Sequence, residues 1–317
     1  MALPVVIIGG NGGGPFDFTG YKNGASLEKI GIWVGSTYIK AMKLWLTDGR
    51  SQQFGVSGQS PYTEFKFEDG EFFSSLSLWD NGDGTRLGAI KFRTTKSREF
   101  FAKMTARGLK TEYPVDVGSG VCLGVKGRSG SDVDSAGFMF INSIRSVEMK
   151  NVVYTTLYEV KPNVNVEEIK AMSYKNSSTI EQQYTMETSK KITKKSSWSV
   201  TTSLETSFSM TVQAGIPIVA EVKEEFAFKL GVSSTYAMET TEERTETMSY
   251  VIKVPPGKTM DINVTIGRAN VDLPYEATVV VTCTNGSTYQ YDKTGVYKGV
   301  TYTDAKAVIE ESVKLLK

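Results

Sequence analysis

Two long stretches of this 317-residue chain, between residues 197 and 238, carry an apolar residue at almost every second position. In the first, the even-numbered residues from 198 to 214 are apolar or threonine, and no odd-numbered residue from 197 to 213 is apolar. The second, from 221 to 238, keeps the alternation with Glu224 as a charged defect. Since side chains of a strand point alternately to opposite faces, this pattern predicts two strands with one apolar and one polar face.

The length of these stretches exceeds that of ordinary strands. Strands of globular proteins usually have about five or six residues, whereas a membrane-crossing strand needs roughly nine to eleven. In a bilayer a lone hairpin would leave backbone groups unpaired, so only a closed barrel shared by roughly four or more copies is viable. The pattern predicts a membrane hairpin in a ring-shaped homo-oligomer. Two half-buried strands of a soluble β-sandwich explain the alternation equally well.

The predicted lipid-facing set takes the apolar residues of both stretches and of the tip between them, residues 214 to 220. Its members are Trp198, Val200, Leu204, Phe208, Met210, Val212, Ile216, Ile218, Val219, Val222, Phe226, Phe228, Leu230 and Val232. The opposite face would line the lumen with Glu205, Glu221, Lys223, Glu225 and Lys229. An apolar face of this size has to be packed against protein before it meets lipid.

The chain contains no histidine, which removes the commonest general base, zinc ligand and triad partner. Lys and Arg number 36 against 35 Asp and Glu, so the charge gives no reason to expect nucleic acid as a partner. Cys122 and Cys283 are expected to be buried free thiols. We therefore expect no enzyme, no cofactor and no metal. A glycosidase is the remaining enzymatic alternative, because the sequence cannot locate paired carboxylates.

No apolar run reaches the roughly eighteen residues of a membrane helix, and the first residues lack the features of a signal peptide. We expect a soluble protein without a signal peptide, released by a non-classical route and acting at extracellular or vesicular membranes. The sequons at Asn176, Asn263 and Asn285 are then expected to be unmodified.

The composition changes near residue 148. Before it, short apolar runs alternate with glycine-containing turns, which is typical of a compact all-β domain. After it, long Thr-, Ser-, Glu- and Lys-rich strands predict a second, elongated β module. The tail from Asp304 is expected to form a short helix with Ile309, Val313 and Leu316 on one face.

Two glycine-containing loops of the first half are candidate ligand-binding loops. In residues 9–14, Pro15 follows where a GxGxxG motif needs its last glycine, so we predict no nucleotide site. Residues 130–134 place a carboxylate beside backbone amides, an arrangement that can bind adjacent sugar hydroxyls. Both loops can also be simple glycine turns capped by Asp or Asn side chains.

A family resemblance rests on these motifs. GGNGGG at residues 9–14, LSLWDNGDGTRLGAIKF at 76–92 and GSDVD at 130–134 together resemble the jacalin-type mannose-binding lectins. That resemblance covers roughly the first 145 residues. Followed by SSWSVTTSLETSFSM at 196–210, the domain resembles the natterin-like, aerolysin-type pore-forming proteins of fish and lampreys, over essentially the whole chain.

The resemblance implies a β-prism lectin domain at residues 1–148 and an aerolysin-like module at 149–317, with the insertion hairpin at about 197–238. In such lectins the last aspartate of a GxxxD loop accepts sugar hydroxyls, which implies Asp134 as the acceptor for mannose-containing glycans. The other implied binding residues are Gly12, Gly13, Asp83, Ser131, Asp132 and Val133.

The implied function is a lectin-targeted pore: the lectin domain binds mannose-type glycans, the bound copies form a homo-oligomeric ring, and their hairpins exchange protein contacts for lipid. The alternative is a soluble agglutinating lectin whose second half is an oligomerisation stalk that never inserts.

Overall fold

The computed structural model describes residues 1–200, 203–223 and 225–312, and most of them lie in β-strands. The one helix among the described residues has five residues, which confirms the predicted all-β class. The chain divides into two compact units. The first contains Met1–Lys150, Val200–Thr211 and Ala277–Lys293, and the second contains Asn151–Ser199, Val212–Glu276 and Thr294–Lys317.

The first unit contains three antiparallel sheets of four strands each. Their strands are β1 (Ile8–Gly9), β2 (Gly14–Thr19), β3 (Leu27–Val34), β4 (Ile39–Leu46), β5 (Ser51–Gly55), β6 (Tyr62–Lys66), β7 (Phe73–Asp80), β8 (Leu87–Thr94), β9 (Glu99–Lys103), β10 (Tyr113–Val115), β11 (Cys122–Ser129) and β12 (Val133–Phe140). The sheet orders are β1-β12-β11-β2, β10-β7-β8-β9 and β5-β4-β3-β6.

One hydrophobic core joins the three sheets of this unit. Each sheet contributes fully buried residues, among them Ile30, Phe92 and Phe138. Phe73 packs its ring 4.8 Å from that of Phe92, and Phe140 lies 5.1 Å from Phe73. Because such rings bury large areas and prefer edge or tilted contacts, the phenylalanine cluster fixes how the sheets pack and holds the loops between their strands.

The remaining strands belong largely to a second sheet system. They are β13 (Ile144–Tyr154), β14 (Val164–Lys175), β15 (Gln182–Trp198), β16 (Thr211–Ala214), β17 (Pro217–Val222), β18 (Glu225–Leu230), β19 (Ser234–Ala237), β20 (Glu239–Val254), β21 (Thr259–Cys283), β22 (Thr288–Tyr302) and β23 (Lys306–Glu311). Seven of them pair in the order β19-β16-β13-β21-β22-β15-β20, β14 and β23 pair with β21, and β17 pairs with β18.

The long strands β15 and β20 of the second unit form a continuous two-stranded stem. Every residue from Gln182 to Ser197 pairs with a residue of β20, without a bulge. Met186 and Ile252 of the stem are buried together with Val264 of β21, while the opposite face carries lysine and glutamate. This alternation is the strand period of two that the sequence shows.

The predicted helix after Asp304 is wrong. Residues 306–311 form β23, which pairs antiparallel with β21 so that Ile309 lies opposite Ile262. The backbone of β21 offers a free edge here, and the β-branched Val308 and Ile309 suit a strand better than a helix. Val313 and Leu316 lie outside the described residues.

The two continuous strands predicted between residues 197 and 238 are also absent from this structure. Trp198 ends β15, a short helix α1 (Ser203–Ser207) follows, and four separate strands, β16 to β19, take up the rest. Leu204 of α1 and Met210 after it are buried, at 0% and 3% exposure. Burial of such side chains decides the local structure here, because it outweighs a weak preference for extended backbone.

No helix among the described residues is both long and apolar enough to cross a membrane. Cys122 and Cys283 are free and buried, as predicted, and burial raises the pKa of the Cys122 thiol to about 12.

Candidate functional site

The glycine loop at residues 9–14 and the loop at residues 130–134 meet in the first unit. Gly9 pairs with Ser135 where β1 meets β12, and the Gly10 N–H donates to the Asp134 carbonyl at 2.8 Å. A Cβ on Gly12 would overlap the Asp134 carboxylate, and so would one on Gly13, whose φ is +58°. Only glycine lets the backbone come this close to the carboxylate.

Asp134, the implied acceptor, is almost completely buried, at 2% exposure. Its Oδ1 atom is held at 2.9 Å by Nη1 of Arg86, which is about one third exposed. A ligand hydroxyl arriving at this point therefore meets a carboxylate and a guanidinium side by side. Such a pair offers both an acceptor and a donor, which adjacent sugar hydroxyls require.

Asp132 binds two cations and thereby connects the 130–134 loop to β4. Lys40 Nζ lies 2.5 Å from Asp132 Oδ1, and Arg86 Nε lies 3.4 Å from Oδ2. The bond to Asp132 raises the pKa of Lys40, although partial burial opposes this. Both cations also lie near the aromatic ring of Tyr38: Lys40 Nζ is 5.9 Å and Arg86 Cζ is 6.0 Å from the ring centre.

Val133 and Ser131 of this loop have different surroundings. Val133 is fully buried in the core, so its side chain is not available to a ligand. Ser131 is exposed, and its carbonyl accepts the N–H of Val56 at 2.9 Å. The loop is therefore held at two points: the Val133 side chain is buried in the core, and the Ser131 carbonyl accepts a backbone hydrogen bond.

A third loop, residues 81–86, completes the site. The buried Asn81 accepts the backbone N–H groups of Thr85 and Arg86 through Oδ1, at 3.1 and 3.3 Å. The Thr85 carbonyl lies so close to Gly10 that no side chain would fit there. Asp83, another of the implied binding residues, points its carboxylate at Arg107 and is half exposed.

Sequence reasoning missed the basic residues of this site. Arg128 donates to the carbonyls of Gly12 and Gly13 at 2.9 and 2.8 Å and so fixes the glycine loop. Arg86 and Lys40 bind the two aspartates, as described above. Arg86 directly follows the 81–85 loop and Arg128 stands two residues before Gly130, so their positions beside the motifs are the signal that could have revealed them.

Among the described residues, no three His, Cys, Asp or Glu side chains are grouped so that they could hold a metal ion. The carboxylates of the three loops are instead bound by Lys40, Arg86 and Arg107.

The predicted lipid-facing residues are only partly packed in this structure. The buried ones are Trp198, Leu204, Met210, Val212, Val219 and Phe228. Those of intermediate exposure are Val200, Phe208, Ile216 and Phe226. The exposed ones are Ile218 and Val222, each 38% exposed, with Leu230 at 46% and Val232 at 90%. Glu224 and Thr202 lie outside the described residues. The expectation that protein covers this whole face is thus wrong for four of its members.

Glu205, predicted to face a lumen, is buried in this structure. Its carboxylate lies 3.1 Å from Lys293 Nζ, and the Tyr291 hydroxyl donates to it at 3.2 Å. All three residues belong to the first unit. In the stem, by contrast, charges pair near the surface: Lys190 with Glu167 and Lys191 with Glu243, both at 2.8 Å.

Comparisons with known proteins match the first part of the chain to a lectin domain and the whole chain to a lamprey protein. A jacalin-like lectin domain matches residues 5–139. The crystal structure of lamprey immune protein superposes with a TM-score of 0.93 at 54% identity and covers 98% of both chains. Natterin-1 of Thalassophryne nattereri is 24% identical over 243 residues, 74% of this chain and 66% of natterin-1. Natterin-2 is 25% identical over 167 residues, 51% of this chain and 43% of natterin-2.

Proposed function

Since this chain belongs to the natterin-like family, in which a jacalin-like lectin domain precedes an aerolysin-type module, we propose that it is a lectin-targeted pore-forming protein. In this proposal the first unit binds mannose-containing glycans at extracellular or vesicular membranes. The bound copies then assemble into a ring, and residues 197–238 cross the bilayer as a shared β-barrel. No covalent chemistry is involved.

One observation carries the membrane part of the proposal, namely the alternation of apolar and polar residues from 198 to 238. Each limb is longer than the roughly nine to eleven residues that a membrane strand needs. In the structure four large apolar residues of this segment are exposed, namely Ile218, Val222, Leu230 and Val232. An apolar surface that the folded chain leaves uncovered is a candidate for contact with lipid or protein.

The glycan part is supported by the three loops around Asp134. They hold a buried carboxylate and a guanidinium side by side, with the backbone of two glycines close to the carboxylate, which suits vicinal hydroxyls of a sugar ring. We expect the carboxylate to accept one hydroxyl and Arg86 to donate to the next.

Dye release from liposomes tests both parts. Wild-type protein should release dye from vesicles that display a high-mannose glycolipid, and much less from vesicles without it. Asp134→Asn keeps the shape of the side chain but weakens it as an acceptor, so glycan binding should fall about tenfold or more, and leakage with it. The matched control is Glu99→Gln, an exposed carboxylate of β9 that should change neither.

The soluble agglutinin is the second candidate, and the same assay separates the two. An agglutinin would bind and cross-link the mannosylated vesicles without releasing dye. Binding that is unchanged in Asp134→Asn would contradict the proposed sugar site, whatever the leakage. Incubation with a labelled high-mannose glycan should leave the glycan intact, and cleavage would instead favour a glycosidase.

A further inference from the structure

The pairing register between β15 and β20 of the stem does not continue beyond the end of these strands. In β15 and β20, Gln182 pairs with Val254 and Ser197 with Glu239, so even-numbered residues lie opposite even-numbered ones and odd opposite odd. The Trp198 N–H donates to the Met238 carbonyl at 3.0 Å, which continues the same register by one pair. Beyond this pair the stem ends: β15 stops at Trp198, and β19, the strand that precedes β20, pairs with β16 instead.

Continuing the stem register through residues 198–238 has a specific result. The opposed pairs would be Val200 with Tyr236, Leu204 with Val232, Phe208 with Phe228, Met210 with Phe226 and Ala214 with Val222, and Ile216 with Ala220 would flank a tip of Pro217, Ile218 and Val219. Directly opposed residues of two antiparallel strands share a face. The apolar residues of both limbs would therefore share one face, which Glu224 opposite Val212 and Thr202 opposite Ser234 would interrupt.

The hairpin seen in the structure has a different register. In β17 and β18, Pro217 pairs with Leu230 and Val222 with Glu225, so odd-numbered residues lie opposite even-numbered ones. Its turn falls between Val222 and Glu225, where Lys223 has a φ of +50°. The Gly231 N–H donates to the Ile216 carbonyl at 2.9 Å and extends this register.

The two registers cannot coexist in one two-faced ribbon. If the β17–β18 register ran on, the polar odd-numbered residues of the first limb would join the apolar even-numbered residues of the second. A change of register by an odd number of residues moves every side chain of one strand to the other face. A hairpin that kept its present turn would therefore carry apolar residues on both faces.

We propose that insertion opens the turn at Lys223 and creates a new tip at Pro217–Val219, so that both limbs extend the stem in its own register. This inference rests on the proposed pore and specifies the pairing within it. The resting turn then prevents extension of the stem, because Val219 and Phe228, which are opposed and buried in the hairpin, must separate first. A left-handed backbone at a residue other than glycine also marks that turn as strained.

A disulfide across the resting hairpin tests this. Ile218 and Lys229 are opposed and both exposed, so I218C/K229C should cross-link on the surface. The two native cysteines are buried and should not compete. The oxidised variant should bind glycan normally and lose about tenfold or more of its leakage activity, and a reducing agent should restore it.

The matched control is S189C/T247C, whose residues are opposed and exposed in the stem. Since the stem keeps its pairing in both states, this disulfide should leave leakage unchanged. Full leakage from oxidised I218C/K229C, or loss of leakage from oxidised S189C/T247C, would overturn the proposal. Absence of leakage from the wild type would instead refute the proposed function.

An environment-sensitive dye on single cysteines reports the register directly. With the stem register, dyes at positions 208 and 230 of the inserted protein should both be quenched by nitroxide lipids. Dyes at 209 and 229 should both be quenched by aqueous iodide. If the present turn persisted, 208 and 229 would instead share a face, and that result would contradict the new tip while leaving pore formation intact.

Discussion

At the scale of single residues, Glu71 of the first unit is a buried carboxylate with a full set of donors. Arg98 Nε lies 2.9 Å from it, the Glu68 N–H donates at 2.8 Å, and the Thr94 hydroxyl donates as well. Burial alone would raise the pKa of this carboxyl. The donors outweigh burial and lower the pKa of Glu71 to about 2.

This shift predicts a loss of stability in acid. Since the folded pKa lies below the usual value of 4.5, Glu71 contributes its full stabilisation above about pH 4.5 and loses it as the pH falls towards 2. The contribution is at most about 3 kcal/mol. Urea unfolding at several pH values should show that Glu71→Gln lowers the unfolding free energy at pH 7 and flattens its decline below pH 5. Exposed Glu112→Gln is the control, and an equal decline in Glu71→Gln would contradict the assignment.

The candidate sugar site shows which of its residues the sequence singles out and which it does not. The motifs point to Asp134, Gly12 and Gly13, which the structure brings together, because a glycine loop and a GxxxD loop are local patterns. Arg86 reaches Asp134 across 48 positions of sequence, and such a pairing leaves no local pattern. The structure alone brings the two together.

At the scale of elements, α1 contacts the rest of the first unit through the buried carboxylate of Glu205, and Phe208, which follows α1, adds an aromatic contact. Glu205 and Lys293 are both less than 10% exposed. The rings of Phe208 and Phe72 lie 5.6 Å apart. Removing one partner of a buried ion pair typically costs about 3 to 5 kcal/mol.

We therefore predict that Glu205→Gln loosens α1 while the sugar site stays intact. Hydrogen exchange measured by mass spectrometry should speed up in residues 203–212, and glycan binding should not change. In a double-mutant cycle, Glu205→Gln with Lys293→Met should be less destabilised than the two single effects together. Additive effects, or unchanged exchange, would show that the pair does not hold this segment.

The alternating segment also shows where sequence periodicity stops being informative. In the stem the period of two is seen in β15, where Met186, Ile192, Ser196 and Trp198 are more buried than their neighbours, and at Ile252 and Val254 of β20. Between residues 198 and 238 the same period does not appear as continuous strands, since α1 and the β17–β18 turn place Leu204, Met210 and Phe228 in buried positions. An alternation of residues that would suit a membrane hairpin therefore does not identify the structure that the same residues adopt in this folded chain.

At the scale of the whole molecule, composition and motifs were sufficient for the all-β class and for the family. The order of the strands in the sheets could not be predicted from the sequence, because pairs such as β15 with β22 or β21 with β23 join residues far apart in sequence. The first unit also contains residues 200–211 and 277–293. These segments lie far along the chain from the lectin motifs and carry no such motif themselves.

A metal should not be needed for recognition by the whole protein. The carboxylates of the sugar site are bound by Lys40, Arg86 and Arg107, and no metal-binding cluster occurs among residues 1–200, 203–223 and 225–312. Glycan binding measured by calorimetry should be the same after treatment with EDTA as in the presence of calcium. A loss that calcium restores would refute this prediction.

The two hydrogen bonds from Arg128 to the glycine loop have a further consequence for recognition. A six-residue loop with five glycines would ordinarily sample many backbone conformations, and a ligand would have to restrict them. Here the guanidinium has already immobilised the carbonyls of Gly12 and Gly13. The loop is preorganised, so in the proposed function a sugar that binds there would cost little conformational entropy of the protein.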